Sequence, residues 1–225
     1  MIVHYDLHIH SVLSPCADCL MTPNNIVNMA DLNGLDLIAV TDHNATRQLP
    51  VLEDIIKSYD MLLIPGIEIS LIDDSHVLCY FKTVKEAYAF GERLTIHLGH
   101  KPTREKGYVM DVFDRIHRYV DIDFSKPTDL TMSNLKSMLK GYDHLLIAAH
   151  VDRTRNNALD HHSKHNFDCL EHTRKVPIDN KNENTFCLYD SDAHQLTQIH
   201  ECTDKNRIVL DELSIDHVFR RLRHG

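Results

Sequence analysis

Short apolar runs alternate with amphipathic segments along most of the chain, and this alternation constrains the fold more than any other feature. Runs with the length of strands occupy residues 35–40, 61–64, 76–81, 145–149, 167–170 and 185–189. Apolar residues at helical spacing occupy residues 24–33, 49–59, 84–98, 131–140 and 214–222. Strands that alternate with helices form βαβ units around a largely parallel sheet. We therefore predict an α/β fold, closed or nearly closed as a barrel.

A charged stretch at residues 101–128 interrupts this alternation and contains one further helical segment around 109–119. We predict that this part of the chain belongs to a small helical insertion or cap at about 85–140. The 225 residues, of which 43% are hydrophobic, are enough for one substantial core. We therefore expect one domain over residues 1–225.

The sequence shows neither a run of about 18 apolar residues nor a basic and then apolar leader, so we expect a cytoplasmic protein without membrane contact. The net charge of −9 argues against broad attachment to a nucleic-acid backbone. Any contact with nucleic acid should therefore be confined to a local site.

Ionisable side chains stand where the strands should end. The first strand ends in DLHIHS, where a period of two places His8 and His10 on one face together with Asp6. Later runs end in TDHN with His43, GIE with Glu68, AAHVDR with His150, and SDAH with Asp192 and His194. His76 is the one departure, because it begins its strand. The carboxyl ends of parallel strands meet at one face of such a fold, so these side chains should converge.

So many ionisable groups in one pocket would repel one another or lack partners unless cations were present. Imidazole and carboxylate together suit Zn²⁺, Mn²⁺ or Fe²⁺ better than Mg²⁺ or Ca²⁺, which prefer shells made only of oxygen. The number of candidate ligands is too large for one ion. The sequence therefore predicts a cluster of divalent metal ions.

The motifs DLHIHS, VTDHN, AAHVDR and SDAH, with PGIEIS and HVLCYF between them, resemble the polymerase and histidinol phosphatase (PHP) superfamily of metal-dependent phosphoesterases. The resemblance spans nearly the whole chain. It implies a distorted (β/α)7 barrel and a site for three divalent ions. The donor chemistry above favours manganese, zinc or iron for these ions.

The resemblance also implies an assignment of ligands to the three ions. The first ion would be bound by His8, His10, Glu68 and Asp192. The second ion would share Glu68 as a bridge and would also be bound by His76 and His150. The third ion would be bound by His43, His194 and an acid from the first loop.

That acid is displaced here, because Pro15 stands where the family has its acid after His-x-His-Ser. Asp18 is our candidate to replace it, and Cys16 is the competing ligand.

Residues around the ligands should support them. Asp6 and Asp42 lie close enough in sequence to His8 and His43 to accept their free imidazole N–H groups. Arg153, three residues after His150, is a candidate to clamp a substrate phosphate.

Clustered divalent ions lower the pKa of a bound water and stabilise the oxygens of an in-line displacement at phosphorus. We therefore expect a phosphoesterase whose nucleophile is a metal-bound hydroxide. Glu68 and Asp192 should bind the metals, and His194, or a protonated water near it, should protonate the leaving group. The expected substrate is a nucleotide, an oligonucleotide end or a small phosphorylated metabolite.

Two other functions remain open. Amidohydrolase barrels also begin with His-x-His, although this chain has no candidate for a carbamylated lysine at a strand end, and its last motif is Asp-x-His instead of a lone Asp. A metal-binding regulatory module without catalytic activity is the other alternative, and loss of several ligands would mark it.

Overall fold

The computed structural model describes residues 1–99, 107–162, 165–173 and 186–224. The strands are β1 (Ile2–Ile9), β2 (Leu37–Val40), β3 (Leu62–Leu63), β4 (Gly66–Ser70), β5 (His76–Phe81), β6 (Tyr108–Met110), β7 (Ile116–Tyr119), β8 (His144–Ala148), β9 (Cys169–His172), β10 (Phe186–Tyr189) and β11 (Arg207–Val209). The helices are α1 (Pro23–Leu32), α2 (Leu49–Ile56), α3 (Val84–Leu94), α4 (Met132–Met138), α5 (Leu159–His162) and α6 (Ile215–His224). The α/β class predicted from the sequence is confirmed.

The strands form two sheets and a separate hairpin. One sheet has the order β11-β1-β2-β3, and the other has the order β10-β9-β8-β5-β4. Single bridges join the sheets, one between Ile9 and Ala193 and one between His43 and Glu68. Within the described ranges, the strands therefore do not close into a continuous hydrogen-bonded barrel. Both bridges lie beside the predicted ligands, so the two sheets come together where those ligands are found.

The direction of β5 explains why His76 begins its strand, whereas the other candidate ligands lie farther along their strands or just beyond them. β1, β2 and β3 pair in parallel, as do β8, β9 and β10, but β5 is antiparallel to both β4 and β8. His76, the first residue of β5, pairs with Ser70, the last residue of β4. The start of an antiparallel strand lies at the same sheet edge as the end of its neighbour. His76 therefore reaches the same edge as the strand-ending residues.

A bulge in β1 changes which face its side chains occupy. Asp6 pairs with Ile38 and Ile9 pairs with Val40, so three steps along β1 oppose two steps along β2. Tyr5 packs in the apolar cluster that includes α6, whereas Ile9 packs in the cluster that includes α1 and α2. The simple alternation predicted for this strand, with Asp6 on the same face as both histidines, is therefore wrong.

The predicted helical segment at 109–119 is also wrong, because β6 and β7 form an antiparallel hairpin there. The Asp111 carboxylate accepts hydrogen bonds from the backbone N–H groups of Phe113 and Arg115, and Asp114 takes a left-handed φ of 54°. An aspartate that bonds its own following backbone favours a turn over a helix. The turn is tied to the start of α1, since Thr22 Oγ1 donates to Asp114 at 2.6 Å.

Candidate metal centre

Glu68, in β4, lies at the centre of the converging side chains and is 1% exposed. Its Oε1 lies 2.8 Å from His76 Nδ1 and 3.0 Å from His150 Nε2. Its Oε2 lies 2.8 Å from His43 Nδ1. One carboxylate thus contacts histidines that come from three different parts of the chain.

His8, His10 and Asp192 form a second set of contacts around the same carboxylate. His8 Nε2 and His10 Nε2 are 3.1 Å apart, and Asp192 Oδ1 lies 3.3 Å and 3.0 Å from them. Glu68 Oε2 is 3.5 Å from His8 Nε2 and 3.3 Å from His10 Nε2. The four side chains are buried, so their polar atoms face one another with little access to water.

The ligand atoms define three groups, in each of which all atoms lie within 4.8 Å of one another. The groups are His8, His10, Glu68 and Asp192; His43, Glu68 and His76; and His10, His43 and His194. The first has the same members as the set that we expected for the first ion. In the second group His43 takes the place expected of His150, although His150 still contacts Glu68.

Buried polar atoms without hydrogen bonds indicate that these groups fit cations. Glu68 Oε2 and His43 Nδ1 are 2.8 Å apart, yet neither makes a hydrogen bond of acceptable geometry, and both are buried. A buried polar atom without a partner is costly. Imidazole and carboxylate donors that converge in this way are suitable ligands for Zn²⁺, Mn²⁺ or Fe²⁺.

The electrostatics of the centre are dominated by Glu68 and the histidines around it. Burial alone would raise the pKa of Glu68, but the nearby His43, His76 and His8 hold it well below its usual value. Burial lowers the pKa of His194 to about 4, helped by the charge of His10. The pocket thus favours an ionised carboxylate at its centre and a neutral imidazole at His194.

Two candidate ligands and one neighbouring residue have strained backbones. His150, Asp192 and Asn44 take positive φ angles of 30°, 51° and 49°. Such angles are uncommon for residues other than glycine and tend to persist where the surrounding structure forces them, often at functional sites. The strain lies in the segments that follow β2, β8 and β10.

Glu171, in β9, is a functional candidate that the sequence reasoning missed. Its side chain is fully buried; Oε1 lies 2.7 Å from His8 Nδ1, and Oε2 accepts the backbone N–H of His150 at 2.7 Å. A carboxylate on Nδ1 holds the proton there and leaves Nε2 free to bind a metal. The sequence did offer a signal for this residue, because Glu171 directly follows the apolar run at 167–170.

Asp6 and Asp42 do not accept the imidazole N–H groups of His8 and His43 directly. Asp6 instead accepts the backbone N–H groups of Ser191 and His200. Asp42 accepts the Ser14 hydroxyl at 2.7 Å, and Ser14 Oγ lies 3.1 Å from His10 Nδ1. Asp42 therefore supports His10 through a serine.

The first-loop candidates lie outside the three groups. Asp18 is exposed, its Oδ1 accepts the backbone N–H of Leu20 at 2.8 Å, and its own N–H donates to the carbonyl of His194. The backbone of Asp18 is thus tied to a segment that carries a candidate ligand. Cys16 is also exposed, and partial removal of its thiol from water raises its pKa to about 12, with a further contribution from the charge of Glu68.

The remaining two candidates contact Asp192. Arg153 Nη1 lies 2.6 Å from Asp192 Oδ2, and Arg153 Nε donates to Thr173 Oγ1 at 3.1 Å. His194 Nδ1 lies 3.0 Å from the carbonyl oxygen of Asp192. A carbonyl only accepts, so Nδ1 of His194 carries the proton and Nε2 keeps a lone pair suited to a metal.

Histidines and carboxylates gathered at one edge of this α/β fold are suited to bind a cluster of divalent metal ions. The PHP domain family model matches residues 6–210, so the chain belongs to the PHP domain family. Among the described residues, no helix is both long and apolar enough to span a membrane.

The chain is similar to 5'-3' exoribonuclease Rnm of Salmonella typhimurium, with 37% identity over 76 residues, and to Rnm of Escherichia coli, with 40% identity over 76 residues. Each match covers 33% of this chain and 25% of the relative, so it spans only a quarter of the length of these relatives. The solved structure of the lesion-specific endonuclease PfuEndoQ from Pyrococcus furiosus shares the fold, with a TM-score of 0.72 and 22% identity. That match covers 99% of this chain and 56% of PfuEndoQ.

Proposed function

We propose that this protein is a phosphoesterase that hydrolyses a phosphate ester of a nucleotide or of an oligonucleotide end, with three divalent ions of manganese, zinc or iron. The observation that supports the proposal most is the position of Glu68, which belongs to two groups of candidate ligands and also contacts His150. One carboxylate between several imidazoles is suited to neutralise the repulsion between neighbouring cations.

When bound, such ions would supply an activated water and would offset the charge that develops on the phosphate oxygens. The side chains of this protein would position these ions and balance their positive charge. Glu171 and the pair Ser14 and Asp42 hold the rings of His8 and His10 in place. The lone pair on His194 Nε2 favours a role for His194 as a ligand over a role as the general acid.

Arg153 is the proposed substrate-binding residue. Its guanidinium already binds one carboxylate of the centre, and about a third of its side chain is exposed. A guanidinium in this position offers hydrogen bonds to a phosphate that reaches the centre. The similarity to an exoribonuclease and to an endonuclease supports a nucleic-acid substrate over a small metabolite.

Three further proposals accompany this function. We propose that residues 1–225 form one domain, that its strands follow the plan of a distorted (β/α)7 barrel, and that the protein acts in the cytoplasm.

The test is to load the purified chain with Mn²⁺ and to measure hydrolysis of a short oligoribonucleotide, a generic phosphate ester and a generic amide. We expect hydrolysis of the two phosphate substrates and a loss of at least about a hundredfold in His76→Ala. His97→Ala is the matched control, because His97 pairs with Asp129 in a segment outside the centre. Hydrolysis of the amide alone would favour the amidohydrolase alternative, and metal binding without any hydrolysis would favour the regulatory module.

A further inference from the structure

Beside the metal centre lies a cavity of about 830 Å³, formed mainly by the end of β10 and residues 191–205. Arg153 and Asp192 line this cavity and also belong to the candidate centre. The volume lies in the range of pockets that bind small molecules and cofactors. The cavity and the candidate centre therefore share two side chains, so a ligand whose phosphate binds at Arg153 lies next to this cavity.

A stacked pair of rings forms part of the cavity wall. The rings of Tyr189 and His200 have centroids 4.7 Å apart and planes that differ by 21°, and Lys205 Nζ lies 5.7 Å from the Tyr189 centroid. Backbone hydrogen bonds tie both ring-bearing residues to β1, since Tyr189 N donates to Tyr5 Oη and His200 N donates to Asp6 Oδ2. β1 also carries His8, so the ring pair is anchored to the strand that positions a candidate metal ligand.

The charges around the cavity are close to balanced. Arg153 is paired with Asp192 at 2.6 Å, and Asp204 is paired with Arg207 at 2.9 Å. Among the described residues of the wall, the other charged side chains are Glu201 and Lys205, which have opposite signs. A wall with little net charge favours an uncharged planar group over a second phosphate.

We propose that this cavity binds a nucleobase of the substrate and that the base packs against the pair formed by Tyr189 and His200. The proposal rests on the proposed function, because the phosphate of the same substrate would lie at the metal centre. Stacking between a base and an aromatic side chain strengthens binding by about tenfold and tolerates different bases. Tyr189 is therefore a residue that binds the substrate through its base and sets the preference for nucleotides.

The test compares an adenine dinucleotide with the same dinucleotide carrying abasic sugars. We expect the wild-type protein to prefer the adenine form by about tenfold in kcat/KM, mainly through KM. Tyr189→Leu should remove this preference, whereas Tyr189→Phe, which keeps the ring, should retain it. Tyr88→Leu, in α3, is the matched control and should also retain it.

Calorimetric binding of both dinucleotides to the metal-free protein provides a readout that does not require activity. We expect the same preference for the adenine form and the same order of variants. Absence of hydrolysis together with a preference in binding would refute the proposed function and support the base-binding cavity. Equal affinity of the wild-type protein for both dinucleotides, or an unchanged preference in Tyr189→Leu, would overturn this inference.

Discussion

Replacement of Glu171 by glutamine tests whether residues behind the ligands control metal binding. Both carboxylate oxygens of Glu171 lie 2.7 Å from a nitrogen, one on the ring of His8 and one on the backbone of His150. Glutamine keeps one oxygen but turns an NH₂ group toward the other donor, so one buried N–H loses its acceptor. Changes of this kind typically lower metal affinity by about 10- to 100-fold, or about 1.4 to 2.7 kcal/mol.

The assay for Glu171→Gln is competition between the protein and a chelator for Mn²⁺ and Zn²⁺, with the metal content measured at each chelator concentration. The free energy of unfolding, measured in urea, should also fall by about 1 to 3 kcal/mol, because a buried donor is left unsatisfied. Glu53→Gln, on the exposed surface of α2, is the matched control and should change neither quantity. Wild-type metal affinity in Glu171→Gln, with the fold intact, would refute the reasoning.

Three further predictions concern the centre and the hairpin beside it. Glu68→Gln should reduce hydrolysis at saturating Mn²⁺ by at least about a hundredfold with an unchanged circular dichroism spectrum, since the bridging charge is lost; near-normal turnover would contradict the bridging role. Asp18→Ala should lower the metal content by about one ion in elemental analysis and Cys16→Ala should not, and the opposite result would make Cys16 the ligand. Gly107→Ala should lower the free energy of unfolding in urea by about 1 to 3 kcal/mol, because the new Cβ would lie 2.2 Å from the backbone oxygen of Leu13. Unchanged stability would show that the hairpin can shift at no cost.

The candidate ligands could be predicted because their signal is local. Each run of apolar residues identifies a strand, and a histidine or an acid directly after the run, as at His43 or His150, lies at the strand end wherever that strand pairs. The chemistry of imidazole and carboxylate then indicates the class of metal without knowledge of the distances.

Contacts between distant strands could not be predicted in the same way. The bulge between Asp6 and Ile9 and the antiparallel direction of β5 both depend on how strands pair, and the sequence of a single strand does not specify its partner. These pairings decide that Asp6 bonds a neighbouring loop and that His76 reaches the centre.

The sequence by itself determined the donor set, the α/β class and most of the strand ends at which the donors stand. The expectation that Glu68 ends a strand is wrong, because Glu68 lies in the middle of β4. Only the tertiary structure decided that Glu171 holds His8, that Arg153 binds Asp192, and that 109–119 forms a hairpin. The physical reason is that propensity and ligand chemistry belong to single residues and short segments. A hydrogen bond between residues more than a hundred positions apart, such as that of Glu171 with His8, exists only once the register of the intervening strands is set.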